Sequence, residues 1–167
     1  VQPSQELQLK RRGEHRLERE VVEAFDLAGC SYSSEVAAVT SIQPELWVES
    51  PREALAFYEA AFGATVIHCV GDGDDIVAQL GVGQAAFWVA RASPTTKRLS
   101  PRAIDGATSR TLLVVEDPDT VVRRAVAAGA TESSQVSDEH GWRLGRIIDP
   151  FGHEWEIGSP LGPWPPS

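Results

Sequence analysis

The chain says one stretch of itself twice. Residues 46–65 read L-W-V-E-S-P-R-E-A-L-A-F-Y-E-A-A-F-G-A-T, and residues 113–131 read L-V-V-E-D-P-D-T-V-V-R-R-A-V-A-A-G-A-T. Val48 aligns with Val115, Glu49 with Glu116 and Pro51 with Pro118, an offset of 115 − 48 = 67. The offset falls to 129 − 63 = 66 at Gly63 and Gly129 because Phe62 has no counterpart. A match at fixed spacing marks an internal duplication, so any fold proposed for the first copy must also serve the second.

Each copy carries its own local logic. The residue before a proline is pushed out of the helical region, whereas proline itself suits the first helical position, so Ser50-Pro51 and Asp117-Pro118 read as the end of a strand and the start of a helix. Ser50 is expected to cap the first helix, with Glu53 completing a capping box, and Asp117 to cap the second. Leu55, Tyr58 and Phe62 fall on one helical face, as do Val122, Ala125 and Val126, and both helices are expected to stop at glycine, Gly63 and Gly129.

Extended runs complete each copy. Ile42–Val48 is the first strand, with Gln43, Glu45 and Trp47 on one face and Ile42, Pro44, Leu46 and Val48 on the other, toward the helix. Three runs follow Gly63, at Thr65–Val70, Asp75–Leu80 and Ala85–Ala90, separated by G-D-G-D and G-V-G-Q, turn sequences of the kind that join antiparallel strands. Arg91 to Thr108 is a polar connector without periodicity. The second copy repeats the order, with strands at Arg110–Val115, Thr131–Val136, Arg143–Asp149 and His153–Gly158 and a helix over Pro118–Ala128; Asp149-Pro150-Phe151-Gly152 forms a tight turn. The pattern predicts an α+β fold of two tandem βαβββ modules, at about 41–91 and 109–160, within one domain over 41–160. Outside it lie an extension over 1–40, with an amphipathic helix from Glu14 to Ala28, and an irregular proline-rich tail at 161–167.

Composition narrows the classes of partner. A formal net charge of −9 over 167 residues repels nucleic-acid phosphates, and the basic cluster Lys10-Arg11-Arg12 is too small to reverse that. No apolar run is long enough to span a bilayer, and the start lacks the apolar segment of a secretory signal, so a cytoplasmic location is expected. Cys30 and Cys69 are two free thiols by spacing, with neither a metal knuckle nor a redox pair.

The duplication, the A-F-Y-E-A-A-F-G-A segment in the first helix and D-P-F-G-H-E-W-E-I near the end together resemble the vicinal oxygen chelate superfamily. That group includes glyoxalase I, extradiol dioxygenases, fosfomycin-inactivating enzymes and bleomycin-resistance proteins. The resemblance implies that the paired modules form a cupped mixed sheet with the helices on its convex side and a ligand on its concave side. It also implies that metal-using members take ligands from the first and last strands of each module. Carried over through the repeat, those positions are Gln43, Trp88, Arg110 and Glu156.

Only Gln43 and Glu156 have atoms to give a metal. Arginine stays protonated and indole has no lone pair to donate, and zinc or iron sites draw on about three protein ligands or more. No metal and no other cofactor is therefore expected, with a divalent ion on Gln43 and Glu156 as the alternative. His15, His68, His140 and His153 show no ligand spacing. What remains is a lining of Gln43, Glu45, Trp47, Trp88, Arg110, Leu112, Glu154 and Glu156, suited to a planar organic molecule, cationic among the possibilities, through stacking and cation–π attraction. Trp142, beside Gly141, is expected in a loop that closes over the cup.

The expected function is sequestration of a small organic ligand, as in the bleomycin-resistance branch and hence antibiotic resistance, by a homodimer. The rival is a metal-dependent glyoxalase-type lyase or dioxygenase. No nucleophile, base and orienting group stand together in the sequence, so no catalytic residue is named.

Overall fold

The computed structural model describes residues 40–165. The helix expected over 14–28 lies outside them. Within them each copy is a strand, a helix and three more strands. The first comprises β1 (Glu45–Val48), α1 (Pro51–Phe62), β2 (Thr65–Val70), β3 (Val77–Val82) and β4 (Ala85–Arg91). The second comprises β5 (Arg110–Val114), α2 (Pro118–Ala127), β6 (Thr131–Glu139), β7 (Trp142–Ile148) and β8 (Glu154–Pro160). The sheets run β1-β4-β3-β2 and β5-β8-β7-β6, with the first strand of each module parallel to the last and every other pairing antiparallel. A crossover helix is what allows that parallel pair.

Several local expectations are corrected. Ser50 occupies the N-cap position of α1 with an extended backbone, but its hydroxyl accepts no bond from the first turn. Asp117 does cap α2, accepting from Thr120 N at 3.0 Å and Thr120 Oγ1 at 2.6 Å. α1 ends on Gly63 at φ 69, whereas α2 ends a residue earlier than its glycine, with Ala128 as C-cap and Gly129 following at φ 113. β1 begins only at Glu45: Pro44 and Val48 accept from β4 and its continuation, but Ile42 stands 97 % exposed rather than facing the helix. Val126 is likewise 40 % exposed.

β3 starts two residues later than expected, because Asp75 N donates to Asp72 O and closes a turn first. The hairpin then turns on Gly83-Gln84 alone, and Gly81 stays in the strand, where an added Cβ would meet Ile67 Cδ1 at 2.8 Å. In the second module β6 runs on to Glu139, and the two-residue turn His140-Gly141 has φ of 51 and 81. Trp142 therefore opens β7 instead of sitting in a loop, and its ring meets Trp164 edge-on at 5.0 Å. The connector folds as two short 3-10 turns, Pro94–Thr96 and Pro101–Ile104.

One core serves both modules. Leu46, Val48, Leu80, Phe87 and Val89 from the first sheet and Ile147, Trp155 and Ile157 from the second pack with Tyr58, Phe62, Val122 and Ala125 from the helices. Phe87 and Trp155, at matching positions of the two copies, touch at 5.6 Å between ring centroids. Beneath them Asp149, 3 % exposed, gathers four donors. Its Oδ2 accepts from Tyr58 Oη at 2.6 Å and Trp155 Nε1 at 3.0 Å, and its Oδ1 accepts from the amides of Phe151 and His153 at 2.9 Å each. The D-P-F-G turn of the second module is thereby bonded to the helix of the first. Burial and the adjacent carboxylate push the Tyr58 phenol well above its usual pKa of 10.0.

Candidate functional site

Strand alternation sends the core residues toward the helices and leaves the intervening side chains on the opposite face. In the first sheet that face carries Glu45 and Trp47 from β1, Trp88 from β4 and Gln79 from β3. Register places Glu45, Trp88, Gln79 and His68 side by side across four strands. The His68 ring meets Trp88 edge-on, with centroids 6.2 Å apart. In the second sheet the same face carries Arg110 and Leu112 from β5, Glu154 and Glu156 from β8 and Arg146 from β7, with Leu112, Glu156 and Arg146 in one row.

The two faces hold equivalent triads of unlike chemistry. In the first module Gln43 Oε1 accepts from Gln79 Nε2 at 2.7 Å and from Trp88 Nε1 at 2.9 Å. In the second, Glu156 Oε2 accepts from Arg110 Nη1 at 2.7 Å and from Arg146 Nε at 2.8 Å. Arg110 Nε also reaches Glu154 Oε2 at 3.4 Å. Gln43 corresponds to Arg110, Gln79 to Arg146 and Trp88 to Glu156, so one interaction pattern is written once in neutral groups and once in charges.

The structure thus brings Gln43 and Trp88 into contact, and joins Arg110, Glu154 and Glu156. On the first face Glu45 is exposed and Trp47 half-buried, and on the second Leu112 is 47 % exposed. Trp47 Nε1 is buried without a protein acceptor, while its carbonyl oxygen lies 3.1 Å from His153 Nε2. Gln79 and Arg146 are not among the residues that the sequence pattern places in the lining, and neither is His68, which shows no ligand spacing. For two of them the signal was present, because 146 − 79 = 67 repeats the offset of the first strands.

These residues do not fit the metal that the superfamily resemblance implies. The two oxygens with ligand character, Gln43 Oε1 and Glu156 Oε2, each already face two N–H donors, and a guanidinium stands where a cation would bind. Among the described residues no group of three or more His, Cys, Asp and Glu side chains is placed to hold a metal ion. A cavity of about 610 Å³ between α2 and β6, lined in part by Val122, Arg123 and Glu132, lies on the helix side, away from this face.

Charge on the second face is balanced. Hydrogen bonds from Arg146 first and Arg110 second hold the Glu156 carboxyl below its usual 4.5. A depressed carboxyl stabilises the fold above the unfolded-state pKa and loses that contribution as the pH falls through the folded value. Glu156→Gln is therefore expected to melt below the parent protein at neutral pH, with the gap closing as the pH drops below about 4. Melting curves at stepped pH check this, and a gap that persists unchanged into acid would show that Glu156 acts by packing rather than by charge.

Comparison with known proteins agrees with this architecture. A pair of βαβββ modules that matches a glyoxalase-like family model places the chain in the vicinal oxygen chelate superfamily of glyoxalases, bleomycin-resistance proteins and dioxygenases. Residues 45–158 match the glyoxalase-like domain family, and the chain belongs to it. It is similar to uncharacterized protein Rv0887c of Mycobacterium tuberculosis, 32% identical over 127 residues covering 72% of this chain and 75% of that protein. Among solved structures, the product of the Arabidopsis thaliana gene AT5G48480 is 28% identical, with a TM-score of 0.55 over 71% of this chain and 96% of that one. FosX from Listeria monocytogenes, a fosfomycin resistance protein solved with Mn(II) and sulfate, shares the fold at 14% identity and a TM-score of 0.57, over 72% of this chain and 90% of that one. Among the described residues no helix is long and apolar enough to cross a membrane.

Proposed function

We propose that this protein binds a small planar organic molecule on the face carrying Trp47 and Trp88, without a metal ion, and acts by holding it. The observation that carries this reading is the paired use of the superfamily's ligand positions. Gln43 is bonded to Trp88, and Arg110 to Glu156. Binding a divalent ion there would require breaking charge-assisted bonds on both sides of Glu156 while leaving two guanidiniums beside the ion, a repulsion that no gain from two ligands offsets.

The electrostatics also define what the face attracts. Arg110 and Arg146 cancel Glu154 and Glu156, which leaves Glu45, exposed and without an ion pair among the described residues, as the uncompensated charge near the indoles. A flat molecule that is neutral, or cationic at the end near Glu45, matches that arrangement through stacking and cation–π attraction. This is the recognition expected of a drug-sequestering protein in the cytoplasm, and it needs no general base.

Native mass spectrometry of untagged protein purified without chelator tests metal content and assembly together. The expected spectrum is a metal-free homodimer, whose subunits cover apolar groups such as Val66, Ile67 and Val70 that stand exposed in the single chain. One tightly bound Zn, Mn, Ni or Fe per chain would overturn metal independence and promote a glyoxalase- or dioxygenase-type activity. A clean monomer would remove the dimer and leave the ligand reading standing.

A further inference from the structure

A second, smaller cavity lies at the ends of β3 and β4. It measures about 350 Å³ and is lined by Asp75, Val77, Ala90, Arg91, Ser93 and Arg98 among others. Ala90 is the register partner of both Trp47 and Val77, so this cavity begins one strand over from the Trp47 indole. Ala90 also lies two residues along β4 from Trp88, or about 7 Å at the usual rise of a strand. A molecule of two or three fused rings covers that span.

Its chemistry is cationic in a chain whose net charge is −9. A closed loop supplies one of the charges: Ser93 N donates to Arg98 O at 2.8 Å and Arg98 N returns a bond to Ser93 O at 3.0 Å, with the 3-10 turn Pro94–Thr96 between them. That closure brings half-buried Arg98 back beside the end of β4. Arg98 Nε donates to Thr96 Oγ1 at 3.1 Å, whereas its terminal nitrogens meet no acceptor and no carboxylate among the described residues. Arg91 supplies the second charge, paired at 3.2 Å with Asp75, whose side chain is 84% exposed. An ion pair so open to solvent is weak, so an incoming anion displaces it at little cost.

We infer that this cavity is an anion subsite, and that Arg91 and Arg98 take the carboxylate or phosphate group at one end of the planar ligand held on Trp47 and Trp88. Guanidinium forks bind such groups through paired charge-assisted hydrogen bonds, and Ser93 stands in the same lining to add a hydroxyl donor. The assignment rests on the proposed ligand face and narrows its occupant: a planar aromatic acid whose other end, near Glu45, is neutral or positive.

The test uses 1-naphthol, 1-naphthyl phosphate and inorganic phosphate as probes of the full chain, with tryptophan quenching for the aromatic part and phosphorus NMR for the anion. The expected result is that naphthyl phosphate binds about tenfold or more tightly than naphthol, that this preference collapses in Arg98→Gln and weakens in Arg91→Gln, and that inorganic phosphate competes with naphthyl phosphate alone. Thermal melts show whether the variants stay folded. Equal affinity for the two naphthyl probes, or no phosphate signal from any probe, overturns the subsite. A phosphate preference that survives Arg98→Gln but disappears in Arg110→Gln also overturns it and moves the anion to the second sheet. Phosphate binding that depends on Arg98 without any naphthol quenching keeps the subsite and removes the aromatic reading instead.

Discussion

Asp149→Ala is expected to destabilise the protein by about 3–5 kcal/mol, the cost typical of breaking a buried polar cluster by removing one partner. The carboxylate is 3 % exposed and accepts all four bonds that tie Tyr58, Phe151, His153 and Trp155 together. Each donor abandoned in a dry core costs on the order of 1–3 kcal/mol, though the four share one cavity and do not add in full. Asp149→Asn keeps the shape and one acceptor oxygen, and should lie between parent and alanine. Urea unfolding of the three proteins decides it; an alanine variant within about 1 kcal/mol of the parent would mean that the cluster is not what joins the modules.

The same cluster sets an alkaline limit. Tyr58 has its folded pKa raised, by burial first and by Asp149 second. For an acid with a raised folded pKa, the contribution to stability is complete below the unfolded value, about 10, and falls away as the pH rises beyond it. Stability should accordingly decline above about pH 10, and Tyr58→Phe, which has no phenol to ionise, should flatten that decline while losing roughly 1–2 kcal/mol at neutral pH.

The duplication made the fold legible. Proline steps, glycine stops and period-two alternation fixed ten elements and their order because each rests on backbone sterics within a few residues. Errors gathered where the deciding contact is distant or concerns a hydroxyl rotor. Nothing local to Trp142 announces that a two-residue turn at His140-Gly141 will carry it into β7, and Ser50 has the right backbone for a cap whose side chain goes unused.

The site was half legible for a related reason. Residues on the first strands can be counted off by parity and by the repeat offset, so Gln43 and Arg110 are equivalents by sequence alone. Gln79, His68 and Arg146 reach the same face only through the register of inner strands, and β2 carries a register shift between Val66 and His68 that parity alone does not reveal. Once register is known, the face reads as two copies of one triad. Arg110 does not stand as a free positive charge against a cationic ligand, since Glu156 and Glu154 both hold it.

Trp88→Ala should weaken binding of a planar cationic aromatic by about two- to thirtyfold, the range for losing one indole contact of roughly 0.5–2 kcal/mol. Two effects are mixed in that number, because Trp88 offers a ring face and also donates to Gln43 at 2.9 Å, and alanine removes both. Trp88→Phe separates them: it keeps an aromatic face and deletes the donor. If stacking dominates, phenylalanine should recover most of the affinity; if Gln43 must be held by the indole, phenylalanine should behave like alanine. A titration with matched cationic and neutral acridines, read by the remaining tryptophans and repeated on Glu45→Gln, completes the argument. Glu45→Gln should reduce the preference for the cationic member while sparing the neutral one, since an exposed carboxylate acts through charge and not through shape. A preference unchanged by Glu45→Gln would assign it to the indoles alone, and affinity unchanged by Trp88→Ala would move the ligand off this face.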